Sequence, residues 1–215
     1  MRDFISPDNK HSALIIVDVQ RDFVLSGSSA EIPGTIQAVQ YIQILAQEYR
    51  KLGFPIVHAV RLYHKDGSNV DLCRRKAVIN GKQIVIAGSD GAEIMDELRP
   101  STTTRLDSSL LLSGHLQYIG PMEWIMYKPR WGAFYRTHLE EHLLSLGINT
   151  VIIAGCNFPN CPRTTIYEGS ERDFRIVLAQ NATSETYEKA LDEMNSIGVS
   201  IMDTNKCIDW LNLQN

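Results

Sequence analysis

Cys161 stands between a strand-like run and a helix-like run, a place where a thiol has a chemical use. Thr150-Val151-Ile152-Ile153-Ala154 is apolar and rich in β-branched residues, as buried strands are. It stops at Gly155. Cys156-Asn157-Phe158-Pro159-Asn160-Cys161-Pro162 follows, and then Arg163-Thr164-Thr165-Ile166-Tyr167-Glu168, which reads as a helix. Proline suits the first helical position, where a missing N–H costs nothing. Cys161 is therefore expected at the N-cap. There its sulfur faces unpaired backbone N–H groups and the positive end of the helix dipole, both of which favour thiolate, the nucleophilic form. The alternative is a buried cysteine packed as a small hydrophobe.

Two charged residues also end apolar runs. Leu14-Ile15-Ile16-Val17 stops at Asp18, a costly place for a carboxylate that has no partner. Ile125-Met126-Tyr127 stops at Lys128, and Pro129 holds that lysine extended. Taken singly, Asp18 reads as a local cap and Lys128 as a solvated charge. Together with Cys161 they place an acid, a cation and a thiol on one rim, a nucleophilic constellation.

The elements that must position these residues alternate in type. Leu14 to Val17 reads as a central parallel strand. Ile36, Val39, Ile42, Leu45, Tyr49 and Leu52 have helical spacing, with Thr35 as cap and Gly53 and Pro55 as stop. Ile56 to Val60 is the next strand. Residues 61–83 read as a long polar loop and Ile84 to Ala87 as a further short strand. Gly88-Ser89-Asp90-Gly91 fits no phosphate-loop spacing and reads as a turn into a helix from Ala92 to Leu98. Thr137 to Leu146 is helical. Arg175 to Ala179, a helix from Ser184 to Ile197, and Val199 to Met202 complete the series. Strand–helix alternation predicts an α/β fold: a three-layer α/β/α sandwich on a mostly parallel sheet, as one domain over residues 1–215. In such sheets ligands sit outside the carboxyl ends of the strands, where all three residues fall.

Composition narrows the function. The chain has 215 residues, 44% hydrophobic and 21% charged, with net charge −4. No basic stripe suggests nucleic acid, and no apolar run suggests a membrane span. The polar start, Met1-Arg2-Asp3-Phe4-Ile5-Ser6-Pro7-Asp8, lacks a signal-peptide core, so a cytoplasmic location is expected. The four cysteines (Cys73, Cys156, Cys161, Cys207) form no C-x-x-C pair and are expected to be reduced.

Ala13-Leu14-Ile15-Ile16-Val17-Asp18-Val19-Gln20-Arg21-Asp22-Phe23, Lys128-Pro129-Arg130-Trp131-Gly132-Ala133-Phe134 and Gly155-Cys156-Asn157-Phe158-Pro159-Asn160-Cys161 occur in that order. The chain thereby resembles the isochorismatase-like cysteine hydrolases, which include nicotinamidases, N-carbamoylsarcosine amidase, biuret hydrolase and ureidoacrylate amidohydrolases. The resemblance runs from about Ser12 to Met202 and departs from the family's usual nucleophile loop at Phe158 and Pro162. It implies hydrolysis of a non-peptide C–N bond in a small amide through a thioester. Asp18 would take the thiol proton, Lys128 would stabilise the resulting charge, and the backbone N–H groups of Asn157 and Cys161 would hold the oxyanion. It further implies a cis Cys156–Asn157 peptide, a homo-oligomer and no cofactor.

In nicotinamidases an aspartate and histidines after the second strand hold a metal. Here that place reads Val57-His58-Ala59-Val60-Arg61-Leu62-Tyr63-His64, without the aspartate, so no metal is expected. Arg61 and Gly67-Ser68-Asn69 look more like the branches acting on linear amides. Arg61 is a candidate for a substrate carboxylate, with a structural ion pair as the alternative. Phe23, Trp131 and Phe134 are candidate pocket walls beside Asn157, and Tyr63, His64 and Tyr167 are candidates for its mouth; core packing is the rival.

Three other readings stay open. True isochorismatases of the family lack the cysteine, so Cys161 argues against that reaction, but nicotinamidase activity proper is one rival. A non-catalytic binding relative, with the fold but no reactive thiol, is another. The third is a zinc peptidase using His138, Glu141 and His142 as H-x-x-E-H, which metal analysis would expose.

Overall fold

The computed structural model describes residues 4–213, so the first three residues of the polar N-terminal segment lie outside it. The chain runs β1 (Ser12–Val17), α1 (Arg21–Val24), α2 (Thr35–Leu52), β2 (Ile56–Val60), α3 (Leu72–Ile79), α4 (Ser108–Leu112), β3 (Gln117–Gly120), β4 (Glu123–Tyr127) and α5 (Leu139–Ser145). It continues through β5 (Thr150–Gly155), α6 (Cys161–Ser170), β6 (Arg175–Thr183), α7 (Glu188–Ser196), β7 (Ser200–Met202) and α8 (Thr204–Leu211). The seven strands form one sheet in the order β3-β4-β2-β1-β5-β6-β7. Only the β3–β4 pair is antiparallel. β1 is thus central, as its unbroken apolar run requires.

Period-two alternation along β1 divides the core into two layers. Ala13, Ile15 and Val17 pack with Leu139 and Leu143 of α5, Ile166 of α6, and Ala190 and Met194 of α7. Leu14 and Ile16 pack on the other face with Val39, Ile42, Leu45 and Tyr49 of α2 and Cys207 and Leu211 of α8. Helices therefore cover both faces, giving the three-layer α/β/α sandwich. Among the described residues no helix is long and apolar enough to cross a membrane.

Several expectations need correction. The segment 61–83 is not all loop, because α3 lies within it. Ile84 to Ala87 is not a strand: only Ile86 bridges, to Tyr63. Ile84, Val85 and Ile86 instead plug a third apolar cluster with Phe23, Val60 and Cys156, so burial rather than pairing explains the run. The helix expected from Ala92 to Leu98 is two short 3-10 turns, Asp90–Ala92 and Asp96–Leu98. Gly34, with φ 76°, is the N-cap of α2, and Thr35 is its first residue.

A buried polar cluster pins β4 to β2 and α2 away from the three predicted residues. Glu123 accepts from Arg50 Nε at 2.8 Å, Arg50 Nη2 at 2.7 Å and His58 Nε2 at 2.7 Å. Burial alone would raise the Glu123 carboxyl, but the Arg50 and His58 bonds outweigh it and hold the pKa below the ordinary glutamate range. Glu123→Ala is expected to cost about 3–5 kcal/mol, because His58 and the partly buried Arg50 lose their acceptor. A depressed folded-state pKa contributes stability above the unfolded value and loses it as pH falls through the folded value. Urea unfolding of both proteins should therefore show the gap narrowing as pH falls below about 4.

Candidate active site

Four strand ends deliver side chains to one rim. Asp18 follows β1, Arg61 follows β2, Lys128 follows β4 and Cys156 follows β5. The backbone locks them in register: Asp18 N–H donates to Ala59 O, Lys128 N–H to Val60 O, and Cys156 N–H to Val17 O, each at 2.9 Å. Asp18 has φ 55°, a left-handed conformation that aspartate tolerates better than most residues. Gly155 has φ 124°, and a Cβ there would lie 2.1 Å from Val17 O. No other residue fits so close to β1.

Lys128 Nζ lies 2.7 Å from Asp18 Oδ2, and both side chains are buried. The same ammonium donates to the carbonyls of Trp131 at 3.1 Å and Arg130 at 3.3 Å. Asp18 Oδ1 is buried and has no hydrogen-bond partner among the described residues. Cys161 opens α6 as its first helical residue, with Asn160 as the N-cap and Pro162 in the first turn. The expected N-cap position is thus off by one residue. The Cys156–Asn157 peptide is cis.

Cys161 is 5% exposed. Its thiol is pushed up, not down: burial acts first, then the Asp18 charge, while Lys128 and Arg61 pull the other way. The expected bias toward thiolate is therefore corrected for the resting protein. Desolvation of an anion outweighs the helix end and two cations. Cys156 is also buried, donates to Asp18 O at 3.0 Å, and is raised well above an ordinary thiol, again by burial first. Cys207 is pushed up to about 12 by burial, and Cys73 is exposed.

Arg61 is fully buried. Its Nη1 donates to Asp71 Oδ2 at 2.6 Å, and its Nη2 lies 3.8 Å from Cys161 Sγ. Tyr63 also donates to Asp71 Oδ2, at 2.6 Å. The structural ion pair foreseen for Arg61 is present, with one edge of the guanidinium still turned to the sulfur. Asp71 gave no sequence signal, since it lies ten positions after Arg61 across a loop.

A cavity of about 500 Å³ opens beside this cluster, bordered by Asp71, Leu72, Arg130, Trp131, Tyr135 and Glu168 among others. Trp131, 42% exposed, does line it. Phe134 does not: its ring is buried against Phe174, with Arg172 over it. Phe23 is buried in the third apolar cluster, under Arg74. Asn157 donates from Nδ2 to the Glu185 carboxylate and accepts from Asn160 at 3.0 Å. Among the described residues, the backbone N–H groups of Asn157 and Cys161 have no backbone acceptor.

The donor set does not fit a metal. His58 is committed to Glu123 and Arg61 to Asp71, and among the described residues no three His, Cys, Asp or Glu side chains gather as a metal-binding group. His138 is exposed and paired with Glu141 at 2.9 Å, whereas His142 packs edge-on against Trp124. Among the described residues the H-x-x-E-H side chains, at the start of α5, gather no third ligand.

Known proteins are similar to this chain in sequence and in the arrangement of its strands. The isochorismatase domain model matches residues 12–107 and 117–206. A probable inactive nicotinamidase of Arabidopsis thaliana is 27% identical over 196 residues, spanning 88% of this chain and 91% of the relative. The ureidoacrylate amidohydrolase RutB of Methylorubrum extorquens is 24% identical over 202 residues, spanning 86% and 75%. Among solved structures, an isochorismatase family protein from Desulfovibrio vulgaris superposes with TM-score 0.80 at 28% identity, covering 94% of this chain and 99% of that one. The two parts of the domain model together span all seven strands and the start of α6, so they take in Asp18, Lys128 and Cys161, and the chain belongs to the isochorismatase family.

Proposed function

We propose that the protein is a cysteine amidohydrolase that cleaves a non-peptide C–N bond in a small amide, with Cys161 as nucleophile, Asp18 as base and Lys128 as electrostatic partner. The observation that carries the reading is the buried Lys128–Asp18 ion pair, 2.7 Å long, whose charges both act on the Cys161 thiol. A buried pair of this kind costs desolvation and returns little as stability, so a chemical use accounts for it better than packing does. The amidohydrolases among the relatives support the same reaction class.

The steps follow from the resting charges. Cys161 rests as a thiol, so Asp18 takes its proton as Sγ attacks the amide carbon. Lys128 and Arg61 hold the developing negative charge. The N–H groups of Asn157 and Cys161 hold the oxyanion, which needs donors without other partners. The C–N bond breaks, and the proton on Asp18 goes to the departing nitrogen. Water, giving its proton to Asp18, then cleaves the thioester and returns the thiol. Trp131 meets the substrate at the cavity, while Arg61 stands behind Asp71 with one edge toward the sulfur.

Ammonia release from nicotinamide, biuret, N-carbamoyl amino acids and ureidoacrylate tests the proposal. Turnover of at least one linear amide, unaffected by exhaustive chelation, is the expected result. Loss with a chelator and recovery with zinc would favour the H-x-x-E-H reading. Absence of turnover across the panel, with a thiol no more reactive than its burial allows, would favour a binding relative, the reading to which the probable inactive nicotinamidase lends weight.

A further inference from the structure

We propose that Glu168 is a positioning residue that keeps Lys128 aligned with Cys161 by holding the 130–134 segment against α6; this rests on the triad reading above. Lys128 Nζ is steered by the carbonyls of Arg130 and Trp131, so the segment carrying those carbonyls decides where the ammonium points. That segment is fastened to α6, the helix that begins with Cys161. Glu168 Oε2 accepts from Phe134 N–H at 2.9 Å. Thr165 Oγ1 accepts from Ala133 N–H at 3.1 Å and donates to Cys161 O at 2.8 Å. Cys161, Thr165 and Glu168 are spaced i, i+4 and i+7, which puts them on one helix face. One face thus bears the nucleophile and both fasteners of the lysine segment.

Gly132 reports the same contact from the other side. A Cβ there would lie 2.1 Å from the Glu168 carboxylate, whose atoms are its nearest neighbours. Gly132 has no positive φ, so its backbone tolerates alanine. Alanine at Gly132 would therefore push aside the Glu168 carboxylate, the far end of a flexible side chain, and loosen its hold on Phe134 N–H.

The readout is the pH at which iodoacetamide alkylates Cys161, measured in a Cys73→Ser background because Cys73 is exposed. The groups acting on that thiol are Asp18, Lys128 and Arg61, with Cys156 beside them. Glu168→Ala should raise the alkylation midpoint by roughly 0.5–1 pH unit, a part of what a nearby opposite charge contributes. Glu168→Gln, which keeps a carbonyl acceptor for Phe134 N–H, should restore the wild-type midpoint. Gly132→Ala should raise it alone but add nothing to Glu168→Ala. Neither change should move the midpoint further once Lys128→Met is present.

A folded Glu168→Ala protein with the wild-type midpoint overturns the inference. So does a shift of equal size in the Lys128→Met background, which marks a merely structural residue. Should Glu168→Ala fail to fold, Gly132→Ala decides, with an unchanged midpoint counting against the proposal. If Lys128→Met itself leaves the midpoint in place, the triad reading falls and takes this inference with it. If Lys128→Met moves the midpoint and Glu168→Ala does not, only the inference falls.

Discussion

Cys161→Ala is expected to abolish turnover while leaving the fold intact. In the proposed mechanism the sulfur is the only atom that bonds to the substrate, so no other group can substitute for it. Loss of an enzyme's covalent nucleophile lowers kcat by about five to six orders of magnitude. Stability should change little. Removing one buried sulfur from the first turn of α6 deletes a small volume, worth roughly 1–2 kcal/mol. Activity within tenfold of wild type in a correctly folded Cys161→Ala protein would remove the nucleophile assignment.

Asp18→Asn should damage both chemistry and stability. Losing the base costs about 10²–10⁴ in rate. The variant also leaves Lys128 fully buried without its carboxylate, with only the carbonyls of Arg130 and Trp131 beside it. Removing one partner of a buried pair costs about 3–5 kcal/mol. The thiol should move the opposite way. Asp18 raises the Cys161 pKa, so its neutralisation lets iodoacetamide label Cys161 at lower pH than in wild type. An inactive, less stable and more easily alkylated protein is the expected combination. Equal stability in urea would show that Asp18 and Lys128 do not hold one another as the 2.7 Å contact implies.

The strand ends that carry the site were legible because each ends an unbroken β-branched or apolar run, which a doubly covered parallel strand demands. Asp18, Lys128 and Cys161 could be placed on one rim from that pattern alone. Elements with weak apolar periodicity were not legible. In α3, Leu72–Ile79, three cations accompany a single buried residue, Val78, so the segment resembles a loop. The C-terminal helix α8 did carry a signal that went unread: Asp203 accepts from Lys206 N–H as a cap, and Cys207 and Leu211 are spaced for one face.

Around the site, the ionic state was the main miss. Helix-end position suggested a thiolate, but sequence does not show that Cys161 would be buried by its neighbours beside a carboxylate, and desolvation governs its resting proton. Asp71 was invisible because a loop brings it to Arg61. Glu168 was within reach of sequence reasoning, since it lies two helical turns after Cys161 on the same face.

The most direct test is peptide mass spectrometry of the wild-type protein quenched in acid during turnover of whichever panel amide releases ammonia. The thioester account predicts an acyl adduct of the substrate's mass less that of the departing ammonia or amine, on the peptide containing Cys161 and absent from those containing Cys73, Cys156 and Cys207. It further predicts that hydroxylamine strips the adduct. Ammonia release by the wild type with no adduct on the Cys161 peptide, together with an undiminished rate in Cys161→Ala, would contradict it.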